Sequence, residues 1–95
     1  MSKSLLSDAR RCYVCGTTLS LHKHHIYAGH GRRDMSEKEG CWVYLCGPHH
    51  NLSDKGVHFN PELDQKLKAR CEQAWMDANN ATISEFLRIF GRNYL

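Results

Sequence analysis

Hydrophobic and polar positions divide the chain into stretches with different periods. Over Thr18–Ile26, Leu19 and Leu21 alternate with Ser20 and His22, a period of two that predicts a strand. Residues 41–46, Cys-Trp-Val-Tyr-Leu-Cys, are rich in β-branched and aromatic side chains and predict a second strand. Between them, the 14 residues from Tyr27 to Gly40 show no period and hold three glycines, Arg32, Arg33 and several acids. They read as a polar loop, and loops of that length in a small domain are usually functional or mobile. The expected unit is a long-looped hairpin. Pro48 then suits the first turn of a short helix and Gly56 its end. Successive helical positions diverge by about 100°, so His49 and His50 are expected to face different neighbours.

In the last third the period becomes helical. Asn60-Pro61-Glu62 reads as cap, first-turn proline and favourable acid, and Leu63, Leu67, Ala74 and Ala78 fall at helical spacing, with Trp75 widening the stripe. Thr82 and Glu85 form a capping-box pattern ahead of Phe86, Leu87, Ile89 and Phe90, and Gly91 ends that helix. The pair is expected to pack on the hairpin as core, with Cys71 an inert buried thiol. Met1–Ala9 has neither cap nor period and reads as a flexible or weakly helical arm. The predicted organisation is an arm over 1–10, a core over 11–60 and a helical pair over 61–95, in the α+β class.

Composition adds a constraint on how such a chain is held together. Ninety-five residues bury a modest core, and a metal clip is a natural supplement. The cysteines number five, so disulfides would leave one over, and no basic start followed by an apolar run marks a secretory signal. A reducing compartment, and zinc rather than disulfide bridges, is the expectation. No apolar run approaches the ~20 residues of a membrane span, so a soluble, cytoplasmic protein is expected. The net charge of +3 and pI near 8.7 are mildly basic, compatible with nucleic acid. Lys3, Arg10 and Arg11 precede the first cysteine, and Arg32-Arg33 lie between the strands; each also fits an ordinary solvated surface.

The chemistry lies in the cysteines and histidines. Cys12-Tyr-Val-Cys15, followed by Gly16, makes a CxxC knuckle, and Cys46-Gly-Pro-His49 supplies a CxxH arm 30 residues later. Three thiolates and one imidazole close a tetrahedral zinc that is structural, because no position stays open. His24, His25 and His50 are then surplus, and a second metal site is their best explanation; surface or zinc-supporting histidines are the alternative.

The order of knuckle, strand ending in His24-His25-Ile26, loop, strand, Leu45-Cys46-x-x-His49-His50 and Val57-His58 resembles the HNH endonucleases, a branch of the ββα-metal nucleases. The resemblance covers Cys12 to about Asn60. The segment order and the ending Phe86–Leu95 look like small HNH proteins of bacteriophages and prophages. The resemblance implies a zinc-stabilised ββα-metal hairpin-plus-helix core, carrying two C-terminal helices. It implies His25 as the general base that takes a proton from the attacking water, a role suited to an imidazole near neutral pH. His24 and His50 would hold the catalytic cation. His58 would be either a third ligand or a residue that orients the helix end, and Arg32 or Arg33 would clamp a phosphate through a bidentate fork. His22 and His30 match no family role and are expected at the surface.

In the family an asparagine opens the second strand and ties the loop so that the base is well placed. Cys41 stands there in this chain, and a thiol is a poor hydrogen-bond substitute. Either Asn51 or Asn60 supplies the tie or activity is reduced, and Cys41 as a zinc ligand is a further possibility. An imidazole-rich cation site suits Mn²⁺ or Ni²⁺ at least as well as Mg²⁺. The implied activity is metal-dependent hydrolysis of DNA phosphodiesters, on duplex DNA with low sequence preference. The implied setting is the cytoplasm of a bacterial host, with a phage recombination or packaging protein as a partner. The competing expectations are a catalytically inactive zinc-stabilised module that binds DNA or protein, and a zinc-ribbon adaptor within a larger assembly.

Overall fold

A computed structural model of the chain describes residues 3–7, 9–27, 32–50, 56–57 and 60–95. It is a small α+β fold with a two-stranded antiparallel sheet and helices. Strands β1 (Leu21–His25) and β2 (Trp42–Cys46) pair in the register Leu21 with Cys46, Lys23 with Tyr44 and His25 with Trp42. Because paired residues share a face and neighbours alternate, Lys23, His25, Trp42 and Tyr44 lie on one side. His22, His24, Val43 and Leu45 lie on the other.

The connection between the strands departs from expectation. Arg32–Glu39 is an α-helix, α1, where the sequence pattern reads as loop. Its docking is largely polar, with Met35 its apolar contact to the core, which is why no apolar stripe announces it. Buried Ser36 accepts from the Tyr27 N–H at 3.0 Å and donates to the Tyr27 carbonyl at 2.7 Å. Glu37 meets β1, and Glu39 accepts from the Trp75 indole N–H at 3.0 Å. Asp34 in the first turn and Lys38 in the last complement the helix dipole. Gly40 closes the connection with φ +78°, and a Cβ there would run into the Lys3 carbonyl oxygen.

That close approach also holds part of the N-terminal stretch, which is expected to be flexible or weakly helical. Within residues 3–7, the Leu5 N–H donates to the Gly40 carbonyl at 2.8 Å. The Ser4 hydroxyl donates to the Trp42 carbonyl at 2.5 Å, and Leu5 and Leu6 pack on the core.

Helix α2 (Gly47–His50) follows β2 directly, with Pro48 in its first turn as expected. Helix α3 (Pro61–Asn79) is capped by Asn60, whose side chain accepts from the Leu63 N–H, and it ends on left-handed Asn80. Its buried stripe is Leu67, Cys71, Glu72 and Trp75; Ala78, expected within the stripe, is exposed. Helix α4 (Ile83–Phe90) carries the complete Thr82–Glu85 capping box and ends on Gly91 at φ +82°. Only Phe86 and Phe90 of its apolar residues are buried, while Ile83, Leu87 and Ile89 stay exposed. Phe86 stacks on Phe90 at 4.5 Å, and Trp75 and Tyr27 meet them edge-on or tilted. Tyr27 joins this core to the hairpin, its hydroxyl donating to the Lys68 carbonyl at 2.6 Å. No helix of the described residues is long and apolar enough to cross a membrane.

Candidate metal centre and histidine face

The CxxC knuckle is shaped by its own backbone. Gly16, at φ +79°, donates to the Cys12 carbonyl at 2.9 Å, and the Cys12 N–H donates to the Thr17 carbonyl at 2.8 Å. The Tyr13 N–H reaches the Tyr44 carbonyl at 2.8 Å, which brings the knuckle to the end of β2, where Cys46 and α2 begin. Cys12, Cys15, Cys46 and His49 then converge, their ligand atoms all within 4.8 Å of one another. The separations are 3.7 Å from Cys15 Sγ to Cys46 Sγ, 3.2 Å from Cys46 Sγ to His49 Nδ1 and 3.7 Å from Cys12 Sγ to His49 Nδ1. Tetrahedral zinc, with bonds of about 2.3 Å to sulfur and about 2.0 Å to nitrogen, places its ligands roughly 3.5–3.8 Å apart. The four residues therefore fit a structural metal such as zinc.

Their electrostatics agree. Burial pushes the Cys12 thiol up. Backbone donors at Cys15, Cys46 and Val14, with the Cys15 thiol, more than offset this and lower it to about 6. Cys46 moves the other way: burial raises it, the His49 backbone lowers it, and the adjacent Cys12 and Cys15 thiols raise it again. Sulfurs this close cannot all ionise without a cation between them.

Of the other described histidines, His22, His24 and His25 lie on the two faces of β1 and His50 on α2. His24 is buried, and its ring centre lies 5.4 Å from that of His50. His22, expected at the surface, stands with them: its Nδ1 is 3.0 Å from His50 Nδ1 and the rings are edge-on at 5.1 Å. The strand period could have found it, since His22 and His24 are two apart. His49 and His50 diverge as expected, one toward the cysteines and the other toward β1.

On the opposite face, His25 Nε2 lies 3.1 Å from Glu37 Oε1. Lys23 Nζ meets both Glu37 oxygens at 3.1 Å and sits 4.2 Å from the Trp42 ring centre. The bond from His25 holds the Glu37 carboxyl below the usual carboxylate range; slight burial opposes this and Lys23 reinforces it. Sequence reasoning passed over Glu37 because it lay in the supposed loop.

Arg32 and Arg33 are both exposed on the first turn of α1. The Arg32 guanidinium lies against Gly91, its Nη2 3.0 Å from where a Cβ would stand. His58, His30 and Asn51 lie outside the described residues.

Asn60 is occupied as the α3 cap, and Ser36 bonds the Tyr27 backbone just past the end of β1. Cys41 is fully buried. Its N–H donates to the Ser36 carbonyl at 2.7 Å and its carbonyl accepts from the Ile26 N–H at 2.9 Å. Its thiol neighbours Cys71, and that contact, with burial, pushes it far up; it is not one of the clustered zinc ligands. A cleft of about 350 Å³ between the knuckle and the start of α3 is lined by Val14, His49, Asn60, Glu62, Leu63 and Lys66. It contains none of His22, His24, His25 or His50. Comparison with protein-family models, curated proteins and solved structures finds no match.

Proposed function

We propose that this chain is a zinc-stabilised ββα-metal endonuclease of the HNH type that hydrolyses DNA phosphodiester bonds. His25 is its general base, and a divalent cation is held by His24 and His50. The observation that carries this reading is the His25–Glu37 contact of 3.1 Å, at the position where the family resemblance puts the base. A base oriented by a third group is a recurring feature of sites that activate a nucleophile. With Glu37 accepting from Nε2–H, the His25 lone pair is on Nδ1, the atom that takes the proton from the attacking water. Lys23 keeps Glu37 ionised and in place. His24 and His50 fit a borderline cation such as Mn²⁺ or Ni²⁺, since both are nitrogen donors. When bound there, the cation supplies Lewis-acid polarisation of a phosphate oxygen and charge stabilisation at the leaving oxygen. Arg32 or Arg33, both exposed on the first turn of α1, is the phosphate clamp. The proposed substrate is duplex DNA.

The test is nicking of supercoiled plasmid with Mn²⁺, Ni²⁺, Mg²⁺ or EDTA. His25→Ala is expected to lower the rate by about 10²- to 10⁴-fold with zinc content unchanged. Glu37→Ala is expected to lower it less. Equal activity in wild type and His25→Ala would remove His25 as the base. The burial of Cys41 in the asparagine's place favours a second reading, a zinc-stabilised module that binds DNA or protein without catalysis. DNA binding with no metal-dependent nicking selects that reading.

A further inference from the structure

His22 carries an inference that the family resemblance does not supply. Its Nδ1 lies 3.0 Å from His50 Nδ1. Two neighbouring ligands of an octahedral ion with bonds of about 2.1 Å stand about 3.0 Å apart. His24 stands two residues along the same strand, on the same face, its ring centre 5.4 Å from that of His50. His50 is held there by covalent geometry, because His49, one residue before it, belongs to the cysteine cluster.

We propose that His22 is a ligand of the second cation site, paired with His50 through ring nitrogens 3.0 Å apart. The proposal rests on the cation site of the proposed function and not on hydrolysis. Its consequence is selectivity. An all-nitrogen set favours Ni²⁺, Co²⁺ or Zn²⁺ over Mg²⁺, which prefers oxygen donors and keeps its waters. The cysteine cluster fixes α2, so filling it with zinc first preorganises His50 for the second ion.

The experiment is calorimetric titration of Ni²⁺ into protein already holding one zinc per chain, for wild type, His22→Ala and His25→Ala. Wild type and His25→Ala are expected to bind one further ion with equal affinity. Loss of an outer-shell partner alone costs about 10- to 100-fold in metal affinity, so His22→Ala is expected to weaken Ni²⁺ by at least about 100-fold. Equal Ni²⁺ binding by His22→Ala and wild type overturns the proposal, as does failure of wild type to bind a second ion. Should His22→Ala lose its zinc, wild type carrying ¹⁵N-imidazole labels and titrated with ¹¹³Cd²⁺ decides the matter. A ¹¹³Cd–¹⁵N coupling at His22 supports it, and couplings confined to other histidines refute it. The nuclease reading fails separately: Ni²⁺ binding through His22 without nicking leaves this site standing, whereas nicking with unaltered Ni²⁺ binding in His22→Ala removes His22 alone.

Discussion

Residues 12–50 and residues 61–95 are held together by different kinds of contact. The first region has a sheet of only two five-residue strands, below what is stable alone in water. It is closed by sulfur and nitrogen ligands at one end and by polar contacts at the other: Ser36 to the Tyr27 backbone, and Glu37 to Lys23 and His25. The second region is built on aromatic burial, with Phe86 and Phe90 almost inaccessible between capped helices. The difference teaches where the chemistry can sit. Polar groups that brace the hairpin keep nitrogen and oxygen donors on its two faces, while the aromatic core anchors that hairpin through Tyr27, Cys41 and Trp75.

The strongest way to break the comparison is to remove the metal. Binding of a structural zinc is worth about 10–16 kcal/mol in small zinc modules, comparable to the whole stability of a small domain, about 5–15 kcal/mol. Cys46→Ser or chelation is expected to abolish protection of the β1–β2 amides while part of the helical circular dichroism persists. An unchanged melting curve on chelation would show that the cluster does not hold the hairpin. Next in size, Phe86→Ala is expected to cost about 3–5 kcal/mol, against about 0.5 kcal/mol or less for exposed Leu87→Ala. Urea denaturation of the zinc-loaded proteins measures both, and equal losses would contradict the aromatic account.

The smallest expected effect is pH-dependent and belongs to the helical region. Burial raises the Glu72 carboxyl above its ordinary range, and the bond from the Tyr94 N–H pulls it back down. That bond is 2.6 Å to Oε1, while Oε2 has no hydrogen-bond partner among the described residues. The folded chain thus holds the Glu72 proton more tightly than the unfolded chain does. This stabilisation is full below the ordinary carboxylate pKa and is lost as pH rises through the raised value. Glu72→Gln is expected to flatten that fall, read as the difference in urea midpoints between the two proteins from about pH 4 to 8. Parallel curves would mean that Glu72 does not titrate in this range.

Legibility followed the kind of signal. Both strands, the α3 and α4 caps and the convergence of Cys12, Cys15, Cys46 and His49 were readable, because period, capping chemistry and ligand spacing are local. Helix α1 was not, since its docking face is Ser36, Glu37 and Glu39 rather than leucines. The contact of residues 3–7 was not legible for a similar reason: what holds Leu5 is a backbone bond to Gly40, which has no sequence signature. His22 and Glu37 were invisible as partners because each depends on an element distant in sequence.

The chain's own order of residues determined its donor inventory, its strand and helix periods and the turn at Gly16. These are set by side-chain chemistry and by backbone preferences of neighbouring residues. Tertiary structure alone decided that His22 meets His50, that Glu37 meets His25 and that Cys41 goes to Cys71. Each of those pairs needs two elements brought into register, and a distance across 12 to 30 residues is fixed by packing rather than by composition.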